Sequence, residues 1–392
     1  MSTKSPEVSI IMPCLNESLT IKLCIEKAFR WFDQNNINGE VVIGDNGSTD
    51  KSQQIATESG ARVIDVKNKG YGSASFFAAK SSRGQYIIMG DADGSYDFSS
   101  LDLFLYKLRE GYDLVMGNRF LGGIEPGAMP WKNKYIGNPV LSLIGKIIYR
   151  VPINDFHCGL RAFSRNAFDK MDLRTSGMEY ASEIVIKSKL HDLKIAEVPI
   201  KLHKDGRDRP PHLRPWRDGW RHLRFMMMLS PKWIFWYPGL ISVLLGATVL
   251  AWLLPGPHTI GDITLDIHTM FYAGLMIIVG YQAMTFGVIT RKLGFVLGVL
   301  PINKYLIKFD DNFSLEYGLL IGIFLILVGA SGLIYPLITW INTGFGGLQP
   351  VETMRIVIPT AVILIIGIQS VLFSIFMSFI SFITDSRSED SE

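Results

Sequence analysis

The chain has 392 residues, with 39 Lys or Arg against 36 Asp or Glu and a formal net charge of +3 at pH 7. So small a surplus excludes a general nucleic-acid binder, and three cysteines without a CxxC pair exclude a disulfide framework and fit a reducing compartment. A hydrophobic fraction of 48% is high for a wholly soluble protein, and the excess is concentrated after residue 232.

The opening "MSTKSPEVSIIMP" has no long apolar run behind its basic residue, so no signal peptide is expected and the N-terminal half is expected in the cytosol. "EVSIIMP" predicts a strand, and "NESLTIKLCIEKAFRWFDQ" a helix with a polar start. "GEVVIGD" and "ARVIDV" read as the next strands, each followed by a helix, "GSTDKSQQIATES" and "SASFFAAKSSRG". "QYIIMGDAD" is a fourth strand, "SSLDLFLYKLREG" its helix, and "YDLVMGNRF" a fifth strand. Alternation of this kind implies a parallel α/β sheet with its ligands at the strand C-terminal ends.

Polar residues gather at those ends: Asn16 and Glu17 after the first strand, Asp45, Asn46 and Ser48 after the second, Asp91 and Asp93 after the fourth, Asn118 and Arg119 after the fifth. The partial G-x-G of Gly70 and Gly72 lacks its third glycine, since Ser75 stands there, and it follows the third strand, so a dinucleotide fold is rejected. Asp91 and Asp93 form a DxD pair, with Asp97 close behind. Two aspartates one residue apart can share Mg²⁺ or Mn²⁺ with a diphosphate, because hard oxygen ligands suit these ions. A solvated Asp93–Gly94 turn with Ser99 capping the next helix is the plainer alternative. The convergence of several loops at one edge favours the metal.

After residue 232 four runs exceed the roughly 20 residues that cross a bilayer as helix, near Trp233–Leu254, His268–Thr290, Glu316–Ile341 and Arg355–Ile383. Loops 255–266 and 342–354 carry no Lys or Arg, whereas the middle loop carries Arg291, Lys292, Lys304 and Lys308. The positive-inside rule then puts both termini in the cytoplasm. The expected division is a catalytic domain over 1–212, an interfacial helix over 213–232, a four-helix membrane domain over 233–383 and an acidic tail over 384–392. Segment 213–233 mixes Trp216, Trp220 and Trp233 with arginines, as suits a lipid interface, and segment 131–150 has one basic and one apolar helical face.

"VSIIMPCLNES", "VVIGDNGSTDKS", "NKGYGSA", "GDADGSYD", "GNRF" and "DFHCGLRAF", in that order, resemble the serial motifs of glycosyltransferase family 2. The closer resemblance is to the polyprenyl-phosphate, dolichyl-phosphate mannose or glucose synthase, group. It implies a GT-A fold that binds a nucleotide-sugar donor with Mg²⁺ or Mn²⁺, and a polyprenyl phosphate acceptor at the cytoplasmic membrane face. By position Pro13, Asn16, Glu17 and Asp45 would line the base and ribose pocket. Gly70 would let the chain approach the nucleotide, and Asp91 and Asp93 would hold the metal. Ser95 stands where the family often has glutamine, and "GDNGS" where it often has "DDGS".

The implied reaction inverts the anomeric centre and moves a hexose, glucose or mannose, from a UDP- or GDP-sugar. A phosphate acceptor is already anionic near neutral pH, with a second pKa of about 6, so it needs cations rather than a base. Arg161 and Arg207 are expected to hold it, supported by Arg119, with Arg209 and Lys204 as further candidates. A hydroxyl lipid such as diacylglycerol or ceramide would instead require a base, for which Asp155 is the candidate; otherwise Asp155 is expected to orient Arg161. A membrane scaffold with a vestigial site is the remaining rival, and homo-oligomerisation is left open. His157 is expected to be a satisfied histidine, and Glu183 to pair with Lys187.

Overall fold

The computed structural model describes residues 5–208, 215–300 and 315–389, so Arg209, Arg214, Lys304 and Lys308 lie outside the described residues. The chain divides into two units, Met1–Met228 and Leu229–Glu392.

The first unit is built on a seven-stranded sheet in the order β3-β2-β1-β4-β6-β5-β7. In chain order these strands are β1 (Val8–Cys14), β2 (Gly39–Asp45), β3 (Arg62–Asp65), β4 (Tyr86–Met89), β5 (Leu114–Asn118), β6 (Arg161–Ser164) and β7 (Ile195–Pro199). Ile10, Ile11, Val42, Ile43, Ile87, Ile88, Leu114 and Val115 are fully buried or nearly so, as continuous apolar strands covered on both faces require. Helices α1 (Ile21–Gln34), α2 (Ser52–Glu58), α3 (Tyr71–Ser81) and α4 (Asp102–Arg109) fill the connections. Helix α1 buries Ile21, Cys24, Ile25, Ala28, Trp31 and Phe32, one stripe at helical spacing.

One strand of this mostly parallel sheet runs the other way. β6 runs antiparallel between β4 and β5, with Arg161 opposite Met89 and Met116. An antiparallel strand begins at the edge where its parallel neighbours finish. Arg161 therefore joins the same edge as Asp91 and Asn118. Pro13 is tolerated in a central strand because β4 pairing stops at Ile11–Met89, so no ladder amide is missed there.

Beyond β5 come the short helix α5 (Arg119–Gly122), a π-helical turn (Asn133–Gly137), α6 (Asn138–Tyr149), α7 (Arg165–Met171) and α8 (Tyr180–Leu190). Helix α9 (Pro215–Met228) belongs to this unit, and the Tyr149 hydroxyl of α6 donates to its Met226 carbonyl at 2.5 Å. Trp131 before the π turn, Tyr135 and Ile136 in it, and Val140, Leu143 and Ile147 of α6 are exposed, as are Trp216 and Trp220 of α9.

The second unit contains four helices long and apolar enough to cross a membrane: Lys232–Leu253, Ile267–Val296, Leu315–Asn342 and Pro350–Ile383. The first comprises a π-helical turn and α10 (Tyr237–Leu253), and the second is α11 (Ile267–Val296). The third is α12 (Leu315–Asn342), and the fourth lies within α13 (Pro350–Glu389). A two-stranded hairpin, β8 (His258–Ile260) and β9 (Ile263–Leu265), joins α10 to α11. Glycines set the crossings. A Cβ on Gly239 would meet the Gly280 carbonyl at 2.6 Å, and one on Gly280 the Gly239 carbonyl at 2.6 Å. Gly322 and Gly367 stand in the same relation between α12 and α13. Such backbone contact is how apolar helices gain packing energy where no water drives them together. Gly280→Val should cost about 2–3 kcal/mol through overpacking, read as a lower apparent Tm of the detergent-solubilised chain.

Candidate functional site

The edge where β1, β2, β4 and β5 end and β6 begins collects most of the expected site residues, in differing degrees of availability. The loop after β1 is stitched to the loop after β2. The amides of Asn16, Glu17 and Ser18 donate to Ser48 Oγ (2.9 Å), Ser52 Oγ (2.8 Å) and Asp50 Oδ2 (3.0 Å). Asn16 takes the left-handed conformation at φ 58°, which asparagine tolerates, and its Oδ1 accepts from the Thr49 amide at 2.7 Å. Asp45 is fully buried. Its Oδ2 accepts from the amides of Gly47 (2.9 Å) and Ser48 (3.0 Å) and from Gln53 Nε2 (2.5 Å), while Ser48 Oγ donates to Oδ1 at 2.5 Å. Burial alone would raise its pKa, but these donors outweigh it and hold the carboxyl below its ordinary value. In this arrangement Asp45 shapes its loop. Asn46 does likewise, donating to the carbonyls of Val66 (3.1 Å) and Asn68 (2.8 Å) and accepting from the Gly70 amide (2.7 Å).

Gly70 sits at φ 129°, and a Cβ there would lie 2.1 Å from the Ser176 carbonyl oxygen. The close approach seen here is to the 175–177 segment of its own chain.

The acidic loop after β4 is the electrostatic centre. Asp97 pairs with Lys27 at 3.1 Å and accepts from Ser99 Oγ at 2.8 Å. Ser99 is thus a partner of Asp97, and Leu101 occupies the N-cap of α4, where no side chain supplies a cap bond. Asp93 Oδ1 accepts from Ser95 N (3.0 Å) and Ser95 Oγ (2.6 Å), and Oδ2 lies 3.1 Å from Arg207 Nη1. Asp91 Oδ1 is buried with no hydrogen-bond partner. Burial first, and then the neighbouring Asp93 charge, push the Asp91 carboxyl up to about 6, against the opposing pull of Tyr71, Arg207 and Arg161. The crowding explains Gly159, where a Cβ would meet Asp91 Oδ2 at 2.6 Å.

Across from these acids, Arg207 forks onto Glu17, with Nε 3.0 Å from both carboxylate oxygens and Nη2 2.7 Å from Oε1. Of the three arginines expected to hold phosphate, it alone faces the acidic pair directly. Arg119 is buried and bidentate to Asp155, through Nε and Nη2 at 2.7 Å each. Burial pulls the Arg119 guanidinium down and Asp155 more than reverses that, leaving it well above its ordinary value. Arg161 is fully buried; its Nη1 donates to the Ala181 carbonyl at 2.7 Å and its Nη2 to the Cys158 carbonyl. Both guanidiniums are buried and engaged here, with Arg161 Nε left without a hydrogen-bond partner, so neither is displayed at the edge as a phosphate holder would be. Asp155 orients Arg119 rather than Arg161. Lys204, a further candidate, is exposed.

His157 Nε2 lies 3.1 Å from Ser182 Oγ, which is 2.8 Å from His222 Nδ1 on α9, while the buried Nδ1 of His157 has no partner, so the expected satisfied histidine is satisfied on one side only. Burial, reinforced by the other histidine and by Arg119 and Arg161, keeps its pKa well below the ordinary value. Glu183 pairs with Lys187 at 3.3 Å and accepts from the amides of Arg174 and Thr175. Sequence reasoning missed Tyr96, whose hydroxyl accepts from the Gly159 amide at 2.9 Å. It also missed Thr20, whose Oγ1 donates to the Ala92 carbonyl at 2.7 Å, and Glu125, which binds Lys201 and His203 at 2.9 Å each. None carries a motif signal, because their partners lie dozens of residues away.

The fold is a mostly parallel α/β sheet with a DxD loop at its strand-end edge, in a chain with four helices long and apolar enough to cross a membrane. The family model "Glycosyl transferase family 2" matches residues 9–172, and "Glycosyltransferase family 2 C-terminal transmembrane region" matches 288–381. The chain is 39% identical to the low-salt glycan biosynthesis hexosyltransferase Agl6 of Haloferax volcanii, over 94% of this chain and 88% of that protein. It is 30% identical to a dolichyl-phosphate hexose transferase of the same organism, over 50% of this chain and 82% of that protein. The chain belongs to glycosyltransferase family 2 and is a glycosyltransferase with a GT-A-type domain. Among solved structures, glucosyl-3-phosphoglycerate synthase from Mycobacterium tuberculosis aligns with TM-score 0.45 and 20% identity, over 57% of this chain and 79% of that one.

Two outcomes follow from the buried charges. Asp155→Ala, which strands the Arg119 charge, should cost about 3–5 kcal/mol, seen as a large fall in apparent Tm. Asp91 has a folded pKa of about 6 against an ordinary 3.8, so its stabilising neutral form is complete below about pH 4 and is lost as pH rises through 6. Asp91→Asn should therefore raise the apparent Tm at pH 8 in EDTA, with the gain vanishing toward pH 4.

Proposed function

We propose that this glycosyltransferase moves a hexose from a UDP- or GDP-sugar to a polyprenyl phosphate at the cytoplasmic membrane face, with inversion. The observation that carries this reading is the Asp91–Asp93 pair at the end of a buried strand, with the Arg207 guanidinium facing it.

The unpartnered, buried Asp91 Oδ1 fits a divalent cation, since a buried carboxylate oxygen needs a positive partner. Two carboxylates are the usual protein share of a Mg²⁺ or Mn²⁺ site completed by substrate phosphates and water. Asp91 and Asp93 would hold the ion, which supplies charge neutralisation to the departing diphosphate. Pro13, Asn16 and Glu17 line the edge where the nucleoside would lie. Asp45 and Gly70 support that pocket from behind by fixing the loops after β2 and before α3.

The acceptor argument rests on charge. Both carboxylate oxygens of Asp155 are engaged by Arg119, which counts against it as a base for a hydroxyl lipid. A phosphate acceptor needs no such base. Arg207, the arginine that faces the acidic pair, would receive anionic phosphate oxygens once its Asp93 contact is given up. The exposed apolar row from Trp131 to Ile147, flanked by Lys132, Lys134, Lys146 and Arg150, suits an anionic bilayer surface, as does the exposed Trp216–Trp220 face of α9. The lysine- and arginine-free loops 255–266 and 342–354 support a cytoplasmic site.

The test is transfer of radiolabel from UDP- and GDP-hexoses to undecaprenyl phosphate, undecaprenol, diacylglycerol or ceramide, with Mn²⁺ or Mg²⁺. Label should enter lipid only with the phosphorylated acceptor, and Asp93→Ala should lower the rate by about 10²–10³. Label on a hydroxyl lipid would overturn the acceptor assignment. No label with any pair would favour a scaffold.

A further inference from the structure

Asp93 has both carboxylate oxygens engaged. Oδ1 is taken by the amide and hydroxyl of Ser95, and Oδ2 faces Arg207 Nη1 at 3.1 Å. The guanidinium is brought there by a short strap laid along the DxD loop. The His203 amide donates to the Ser95 carbonyl at 3.0 Å, and the Gly206 amide to the Asp93 carbonyl at 2.9 Å. Glu125 anchors the start of the strap through Lys201 and His203. Gly206 is required at the close approach, since a Cβ there would meet Thr20 Cγ2 at 2.8 Å.

We propose that Arg207 is the resident counter-cation of the DxD loop, that a divalent ion binding at Asp93 takes its place, and that Glu17 is the positioning residue that keeps the displaced guanidinium in the site. This rests on the metal-dependent reading above. An oxygen facing a guanidinium is poorly available to a metal, and two cations on one carboxylate oxygen repel strongly in a poorly hydrated site. The geometry makes the exchange local. Nε and Nη2 are held by Glu17, whereas Nη1 makes the Asp93 contact, so losing Asp93 frees one edge of the fork without releasing the side chain. A freed guanidinium edge matches phosphate. Metal arriving alone competes with Arg207. Metal arriving with a diphosphate gives Arg207 a new partner and meets less competition. Glu17 therefore acts through Arg207 rather than on the sugar.

The test is Mn²⁺ binding to the full-length protein in detergent, followed by electron paramagnetic resonance of free Mn²⁺, with and without UDP or GDP. Wild type should bind Mn²⁺ weakly alone and more tightly with nucleotide. Arg207→Gln should bind Mn²⁺ alone on the order of tenfold more tightly and show a smaller gain from nucleotide. Arg207→Lys, which keeps the charge, should stay close to wild type without nucleotide. As a second readout, Mn²⁺ should raise the apparent Tm of Arg207→Gln more than that of wild type. Equal or weaker Mn²⁺ binding by Arg207→Gln overturns the exchange and leaves the metal reading standing. No Mn²⁺ binding by either protein, with or without nucleotide, overturns the metal reading and the exchange with it.

Discussion

Three aspartates within seven residues, at the end of a strand buried on both faces, repel one another, and the architecture of the first unit is arranged around that repulsion. Each acid meets it differently. Asp97 turns outward to Lys27 on α1. Asp93 turns toward Arg207, which arrives from more than a hundred residues downstream. Asp91 keeps an unpartnered oxygen, and its raised pKa records the cost. A buried carboxylate kept where an uncharged amide would cost less is the kind of perturbed group that clusters at functional sites.

The arginines illustrate how position in the fold sorts one residue type into different jobs. Arg119 and Arg161 are buried at the ends of β5 and β6, where one neutralises Asp155 and the other donates to the carbonyls of Cys158 and Ala181. Arg207 sits on a strap without regular secondary structure. A guanidinium on such a segment can change partners at less cost than one packed into a sheet.

The sequence carried the fold class through two signals that need no tertiary information. Apolar runs of strand length alternating with amphipathic helices imply an α/β sheet, and longer apolar runs imply membrane-length helices. The DxD pair, the basic and aromatic segments and the Glu183–Lys187 pair were legible because their partners are neighbours in sequence. The antiparallel β6 was not, since four residues bounded by a loop and a helix carry no mark of direction, and it is pairing with Met89 and Met116 that sets it.

By itself, then, the sequence determined which chemical groups the strand ends would deliver and that half of the chain would seek an apolar medium. Local backbone preference and hydrophobic periodicity suffice for that. Only the tertiary structure decided which charges are free and which are spent. It turned Asp155 onto Arg119, enclosed Asp45 in its own loop, set Gly70 against Ser176 and brought Arg207 between Glu17 and Asp93. Those assignments depend on contacts between residues far apart in sequence, whose energies exist only once the sheet has brought them within a few ångströms of each other.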